Sequence, residues 1–448
     1  MTVDSVLSNA KAYLKQGIVE CSIAIEEGKI FKIGKEVNMP KADEKLNLHN
    51  FLVLPGVIDL HVHLRDEGKA YKETFLTGTA AAAAGGVTTV LDMPNNTPVT
   101  MSTQALQNRI RLAKSNILVN VGFYSEFPSK LSEVDNIVAL GATAFKLFMP
   151  EQVGGLNIDD EAALKKAFRK IADFDIPLAV HAEDHMLLKK NVERLKLNKQ
   201  DKIRDFLKAH TEEVEYVAIK RLLDVNMQFH NHLHFCHLST GKGLCAVAEA
   251  KQTDQKVTCE VTPHHLLLTK DSYEELGPKA LTKPPLRSEE EREALWKGIT
   301  ENTIDTIGSD HAPHTLEEKE VNSIWQVKGG VPGLETTLPL MLTLVHKKQL
   351  SLDKLVQLLA ENPAAIFGLK DRGVIEEGKN ADLVVIDYNK RFNIEASKFK
   401  SKAKFSPFDG WEVQGRPVKT FVNGELVMEE QEIVAKPGCG RVVRRAQT

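Results

Sequence analysis

Between residues 52 and 308 one pattern recurs: a short apolar run, then a stretch with helical spacing. The runs are Leu52 to Val62, Val87 to Met93, Ile117 to Phe123, Ala142 to Phe148, Pro177 to Val180, Leu233 to Leu238, Lys256 to Val261 and Ile304 to Gly308. Unbroken apolar runs of this kind fit strands buried on both faces, as in parallel sheets. Helical patterns fall between them, as in Asp160 to Phe174 and Ser288 to Thr300. The alanine run Ala80 to Ala84 belongs to a helix, because alanine is the best helix former. Eight β-then-α units predict an α/β chain closed into a (β/α)8 barrel of the TIM type. An open doubly wound sheet is the alternative, but no GxGxxG follows the first run.

The two ends of the chain read as strands. Cys21 to Ile25 alternates, Glu27-Gly28-Lys29 marks a turn, and Ile30 to Ile33 resumes the apolar pattern. Near the other end, Ala381 to Ile386 has a buried-strand pattern, and Val418 to Val422 leads into an Asn423-Gly424 hairpin signal. The expectation is one small β domain built from both termini, residues 1–53 and 371–448, around a barrel at 54–370. The basic cluster Arg441 to Arg445 reads as a solvated tail. Thr315 to Gly330, rich in Glu and Lys, reads as a mobile loop able to close as a lid.

Bulk properties narrow the partners. The 448 residues carry a net charge of −3, which gives no electrostatic reason to expect nucleic acid or an anionic membrane. No apolar run approaches the roughly 18 residues that span a bilayer. The start of the chain lacks the features of a signal peptide. Five scattered cysteines form no CxxC pair, so neither a disulfide framework nor a zinc ribbon is indicated. The expected location is the cytoplasm.

The chemistry-bearing residues fall at strand ends. His61 and His63 share one face of the first strand. Alone, the pair reads equally as two metal ligands or as two core histidines bonded to backbone. His181, His237 and Asp310 also stand at ends of predicted strands, on the face where such barrels build active sites. Imidazole with carboxylate suits zinc, with manganese, cobalt or iron as alternatives. Lys146 sits inside the apolar run Phe145 to Phe148, where burial disfavours an ammonium. A neutral amine can take up carbon dioxide, and the resulting carbamate can bridge two metals. The plainer reading of Lys146 is a pair with a nearby acid.

These motifs resemble those of the dihydroorotase family in the amidohydrolase superfamily. The resemblance runs through Pro55 to Arg65, Met93 to Pro98, Val261 to His265, Asp310 to His314, Gly333 to Thr336 and Phe405 to Phe408. It implies a (β/α)8 barrel with a composite β-sandwich domain and two divalent metals, zinc by preference. It implies that His61, His63 and Asp310 hold one metal, that His181 and His237 hold the other, and that carboxylated Lys146 bridges them. Some relatives bridge with aspartate. This chain keeps lysine, as do the hydantoinases and the dihydroorotase part of the large animal pyrimidine-synthesis enzyme.

The resemblance also implies a substrate pair, dihydroorotate and N-carbamoyl-aspartate, whose ring carboxylate would be gripped by Arg65, Asn95 and His314. Backbone near Pro332 and Gly333 would read the ring amides. Asp310 would act as general base, then acid. Lys283 departs from the pattern: many bacterial relatives carry asparagine there and the animal enzyme arginine. Cys236 and Glu260 resemble the animal type, or are simply a small buried residue and a satisfied carboxylate. His264 and His265 read as structural. A homodimer and association with aspartate transcarbamoylase are the expected assemblies. The rival readings are a hydantoinase, dihydropyrimidinase or allantoinase, and a catalytically dead scaffold. The scaffold should have lost ligands, and none of the six is missing.

Overall fold

In the computed structural model, which describes residues 2–253 and 255–446, five strands precede the barrel. They are β1 (Thr2–Leu14), β2 (Gly17–Glu26), β3 (Lys29–Gly34), β4 (Lys41–Asn47) and β5 (Leu52–Pro55). The barrel strands are β6 (Val57–Val62), β7 (Val87–Asp92), β8 (Asn120–Glu126), β9 (Ala144–Phe148), β10 (Leu178–His181), β11 (Leu233–Phe235), β12 (Val257–Val261) and β13 (Thr306–Ile307). β14 (Leu383–Asn393), β15 (Glu412–Val422), β16 (Glu425–Glu429) and β17 (Glu432–Ile433) follow.

The barrel strands run in sequence order, β6 to β13, all parallel. Closure comes just beyond the last strand. Val62 bridges His311, the His63 amide donates to the His311 carbonyl at 2.8 Å, and the Ser309 amide donates to the buried Asp59 carboxylate at 3.1 Å. Helices cap as their sequences dictate. Asp160 accepts from the amides of Ala162 and Ala163 at the start of helix Glu161–Ile171, and Thr74 caps the alanine-rich helix Phe75–Ala84.

The strands from both ends form one nine-stranded mixed sheet. β5 lies parallel to β1 and antiparallel to β14, so it joins the two ends of the chain. Both predicted hairpins are present, with Glu26 opposite Lys29 and Val422 opposite Glu425. Their tips meet: Gly28 has φ 75°, and a Cβ there would fall 2.5 Å from the Asn423 carbonyl oxygen. This sheet packs a core of its own, which includes Leu7, Ile23, Val53, Leu383 and Phe421.

Two expectations need correction. The run Leu52 to Val62 is two strands in two sheets. It breaks at Gly56, whose amide donates to the Asp382 carbonyl and where a Cβ would lie 2.2 Å from the Thr88 side chain. The basic tail is not solvated. The Gly440 amide donates to the Ile117 carbonyl, Val442 bridges Val121, Val443 is buried beside Leu91 and Tyr124, and Arg445 pairs with Asp175 at 2.5 Å. The tail therefore crosses the end of the barrel opposite the strand C-termini. Thr315 to Gly330, the expected lid, is mostly irregular and borders the cavity through Glu318, Ile324, Trp325, Val327, Lys328 and Gly329. It contains a short helix, Leu316–Lys319, and its Ser323 hydroxyl and Trp325 indole donate to Asp201 and the Gln200 carbonyl. No helix of the described residues is long and apolar enough to cross a membrane.

Candidate active site

The C-terminal ends of the barrel strands surround a cavity of about 580 Å³. His61, His63, His181, His237 and Asp310 line it, as do Arg65, Asn95, Lys283 and His314. Three expected contributors do not. Pro332 and Gly333 are buried behind the wall, and the Gly333 amide is directed to His311 Nδ1 at 3.2 Å. Lys146 lies beneath the floor, fully buried, with its Nζ 3.0 Å from Cys236 Sγ.

The histidines converge. His61 Nε2 and His63 Nε2 stand 3.3 and 3.2 Å from one oxygen of Asp310. The His237 ring centre is 5.1 Å from that of His61 and 4.5 Å from that of His181. The other ring nitrogens are held from behind. His61 Nδ1 meets Glu260 at 2.8 Å, and His63 Nδ1 meets the Asn95 side-chain oxygen at 2.7 Å. His181 Nε2 meets Glu183 at 2.8 Å, and Glu183 in turn holds His210 at 2.6 Å. Partners of this kind fix the tautomer and aim the free nitrogen of a metal-ligating histidine.

Electrostatics favour neutral imidazoles. Burial, with the nearby charges of Lys146 for His61 and Arg65 for His63, holds both rings below their ordinary range. Burial and the two neighbouring histidines do the same for His237. Burial alone would raise the Glu260 carboxyl, yet His61 and His234 hold it down, so it stays an anion. Neutral imidazole and carboxylate are the forms that ligate metals. His61, His63 and Asp310 place their ligand atoms within 4.8 Å of one another, and so do His61, Cys236 and Glu260.

Arg65 reaches the cavity through unusual backbone. Arg65, Asp66 and Glu67 have φ of 55, 52 and 46°, with Asp66 at ψ −172°, a positive-φ run of sparsely populated conformations that cost on the order of 1–3 kcal/mol each. Local bonds offset that cost. The Asp66 carboxylate accepts from the amides of Glu67 and Phe75 at 2.7 and 2.8 Å. Buried Arg109, paired with Asp92, donates to the Arg65 carbonyl at 2.8 Å. The turn thus aims a buried guanidinium, with an unpartnered Nε, back over the strand ends. Its Nη2 lies 3.4 Å from His314 Nε2.

Several contributors went unread in the sequence: Glu183, His210, Lys69, Lys72, Arg109 and Glu318. Only Glu183 had a signal, its i+2 spacing from His181 on one strand face. The others meet the site from distant segments. Glu318 is one, pairing with Lys72 at 2.7 Å. Of the histidines read as structural, His265 bonds the Thr262 hydroxyl and the Pro284 carbonyl. Lys283 is exposed at the cavity mouth.

A buried cluster of histidines and a carboxylate at this end of a parallel barrel defines a metal-dependent hydrolase. Residues 52–427 match the amidohydrolase family. Curated relatives narrow the class. A dihydroorotase of Methanothermobacter thermautotrophicus is 38% identical over 424 residues, 94% of each chain. One of Pyrococcus horikoshii is 38% identical over 447 residues, covering 99% of this chain and 97% of the relative. Among solved structures, the L-hydantoinase (dihydropyrimidinase) of Arthrobacter aurescens superposes with a TM-score of 0.94 at 32% identity, covering 99% of this chain and 100% of its own. The chain belongs to the amidohydrolase family and, within it, to the dihydroorotases.

Proposed function

We propose that this chain interconverts N-carbamoyl-L-aspartate and L-dihydroorotate, a ring closure of de novo pyrimidine synthesis, in a site holding two divalent metals. The observation that carries the reading is the placement of Arg65, Asn95 and His314 on one cavity with the histidine–aspartate cluster. A cyclic amide would present its reacting carbonyl to the cluster and its carboxylate to the arginine.

The residues present fit the metals. The trio His61, His63 and Asp310 is compact, the imidazoles are neutral, and Glu260 keeps one buried oxygen without a partner. His61, His63 and Asp310 would hold one ion, His181 and His237 the other, and Lys146, as its carbamate, would lie between them. Zinc suits these donors. Such ions supply Lewis acidity and ionise water near neutral pH. Asp310 takes the proton of the attacking water and delivers it to the departing ring nitrogen. In ring closure the same carboxylate removes a proton from the ureido nitrogen. Arg65 binds the ring carboxylate, and Asn95 and His314 complete the grip. Lys283, at the mouth, assists anion entry.

The hydantoinase-like structures support a second reading, hydrolysis of hydantoins or dihydropyrimidines. Those rings need no carboxylate, which leaves buried Arg65 without a task. The test is ring closure of N-carbamoyl-L-aspartate by the purified chain before chelation, after chelation and after zinc is restored. Metal-dependent formation of dihydroorotate is expected. No product from metal-loaded protein overturns the reading.

A further inference from the structure

The loop after β6 does more than carry Arg65. It places two lysines on the other two residues of the anion grip. Lys69 Nζ donates to the Asn95 carbonyl at 2.6 Å, and Lys72 Nζ lies 3.1 Å from His314 Nδ1. Resting on the reading that Arg65, Asn95 and His314 bind a carboxylate, we propose that Lys72 is a positioning residue. Its ammonium donates to His314 Nδ1 and holds the ring in the tautomer with its proton on Nε2.

The ring's surroundings decide the direction. His314 Nε2 lies 3.1 Å from the Gly329 carbonyl, which can only accept, and 3.4 Å from the Arg65 guanidinium, which can only donate; the nearer partner assigns Nε2 the proton. Burial, with Arg65, Lys72, Lys319 and His63 nearby, keeps the ring neutral, so Nδ1 offers a lone pair. An ammonium can only donate, and it meets that lone pair. Glu318 brackets the pair: its Oε2 lies 3.1 Å from Nδ1 and its Oε1 pairs with Lys72 at 2.7 Å. The lysine therefore competes for Nδ1 with a carboxylate that would otherwise claim a proton there. That alternative would set a bare Nε2 lone pair against the Gly329 carbonyl and beside the anion bound by Arg65, whose Nη2 is 3.4 Å away.

The experiment compares native protein, Lys72→Met, Lys72→Arg and Lys72→Met/Glu318→Gln, each with metal content and thermal unfolding measured. With ammonium removed, Glu318 captures Nδ1–H and the tautomer flips. The KM for dihydroorotate should rise about tenfold or more at pH 8, the worth of one charge-assisted hydrogen bond, with kcat changed far less. Lys72→Arg and the double variant should each recover most of the loss. An unchanged KM, or a Lys72→Arg variant as impaired as Lys72→Met, overturns the proposal. If Lys72→Met does not fold, nitrogen-15 histidine spectra of the native protein decide it. Nε2–H at His314 supports the assignment, and Nδ1–H refutes it. Failure of the dihydroorotase reading is separate, because native protein would then not turn over dihydroorotate at all.

Discussion

Replacing Arg65 with methionine should separate activity from stability. The guanidinium is buried, its Nε has no partner, and among the described residues its side-chain hydrogen-bond partner is His314 at 3.4 Å. Burial already pulls it below the ordinary range of an arginine, against the field of Asp310 and Asp92. In the folded chain it is a charge waiting for a partner. Substrate supplies that partner through two charge-assisted hydrogen bonds worth about 1.5–3 kcal/mol each. Their loss predicts a fall in kcat/KM for dihydroorotate of roughly 10²- to 10⁴-fold. Without substrate the sign reverses. Relieving a buried unsatisfied group gains about 1–3 kcal/mol, so the melting temperature should hold or rise by a few degrees. The positive-φ backbone strain is the same for either side chain. The assay pairs steady-state kinetics with thermal unfolding of metal-loaded protein. If activity and melting temperature fall together, Arg65 is a structural residue. If kcat/KM is retained, the carboxylate is bound elsewhere.

Lys146→Ala should abolish metal retention and activity, with partial rescue by short carboxylic acids, as read by metal analysis and turnover. Glu183→Gln should loosen His181 and weaken metal affinity by about 10- to 100-fold, measured by competition with a chelator. Lys319 is fully buried with one carbonyl partner, Leu281, and burial lowers its ammonium from 10.5 to about 7. The folded chain then binds fewer protons than the unfolded chain between those values, so stability rises with pH across that window. Lys319→Met should remove this slope and stabilise the protein near pH 7 by on the order of 1–3 kcal/mol, seen by denaturant unfolding at pH 7 and pH 9.5.

The barrel was legible because its strands are buried on both faces and read as plain apolar runs. The same uniformity hid the break at Gly56, since Leu52 to Val62 is apolar on either side of it. Pro55-Gly56 was the available signal. Strand ends were overrun where the chain turns into the site. β11 stops at Phe235, and His237 follows at φ 36°. The tail misled because Arg441 to Arg445 shows its charges, while what seats it is backbone pairing with Ile117 and Val121. His61, His63 and Asp310 were readable from motif spacing. Their supports were not, because Glu260 reaches His61 across 199 residues and Lys72 reaches His314 across 242.

The central claim is that this site pairs amide-ring chemistry with recognition of a ring carboxylate. The most direct test is kcat/KM for dihydroorotate and for dihydrouracil, the same ring without the carboxylate, on one metal-loaded preparation. From the Arg65 contacts alone, dihydroorotate should be preferred by roughly 10²- to 10⁴-fold. Equal rates on the two rings would contradict the account and leave a general cyclic amide hydrolase.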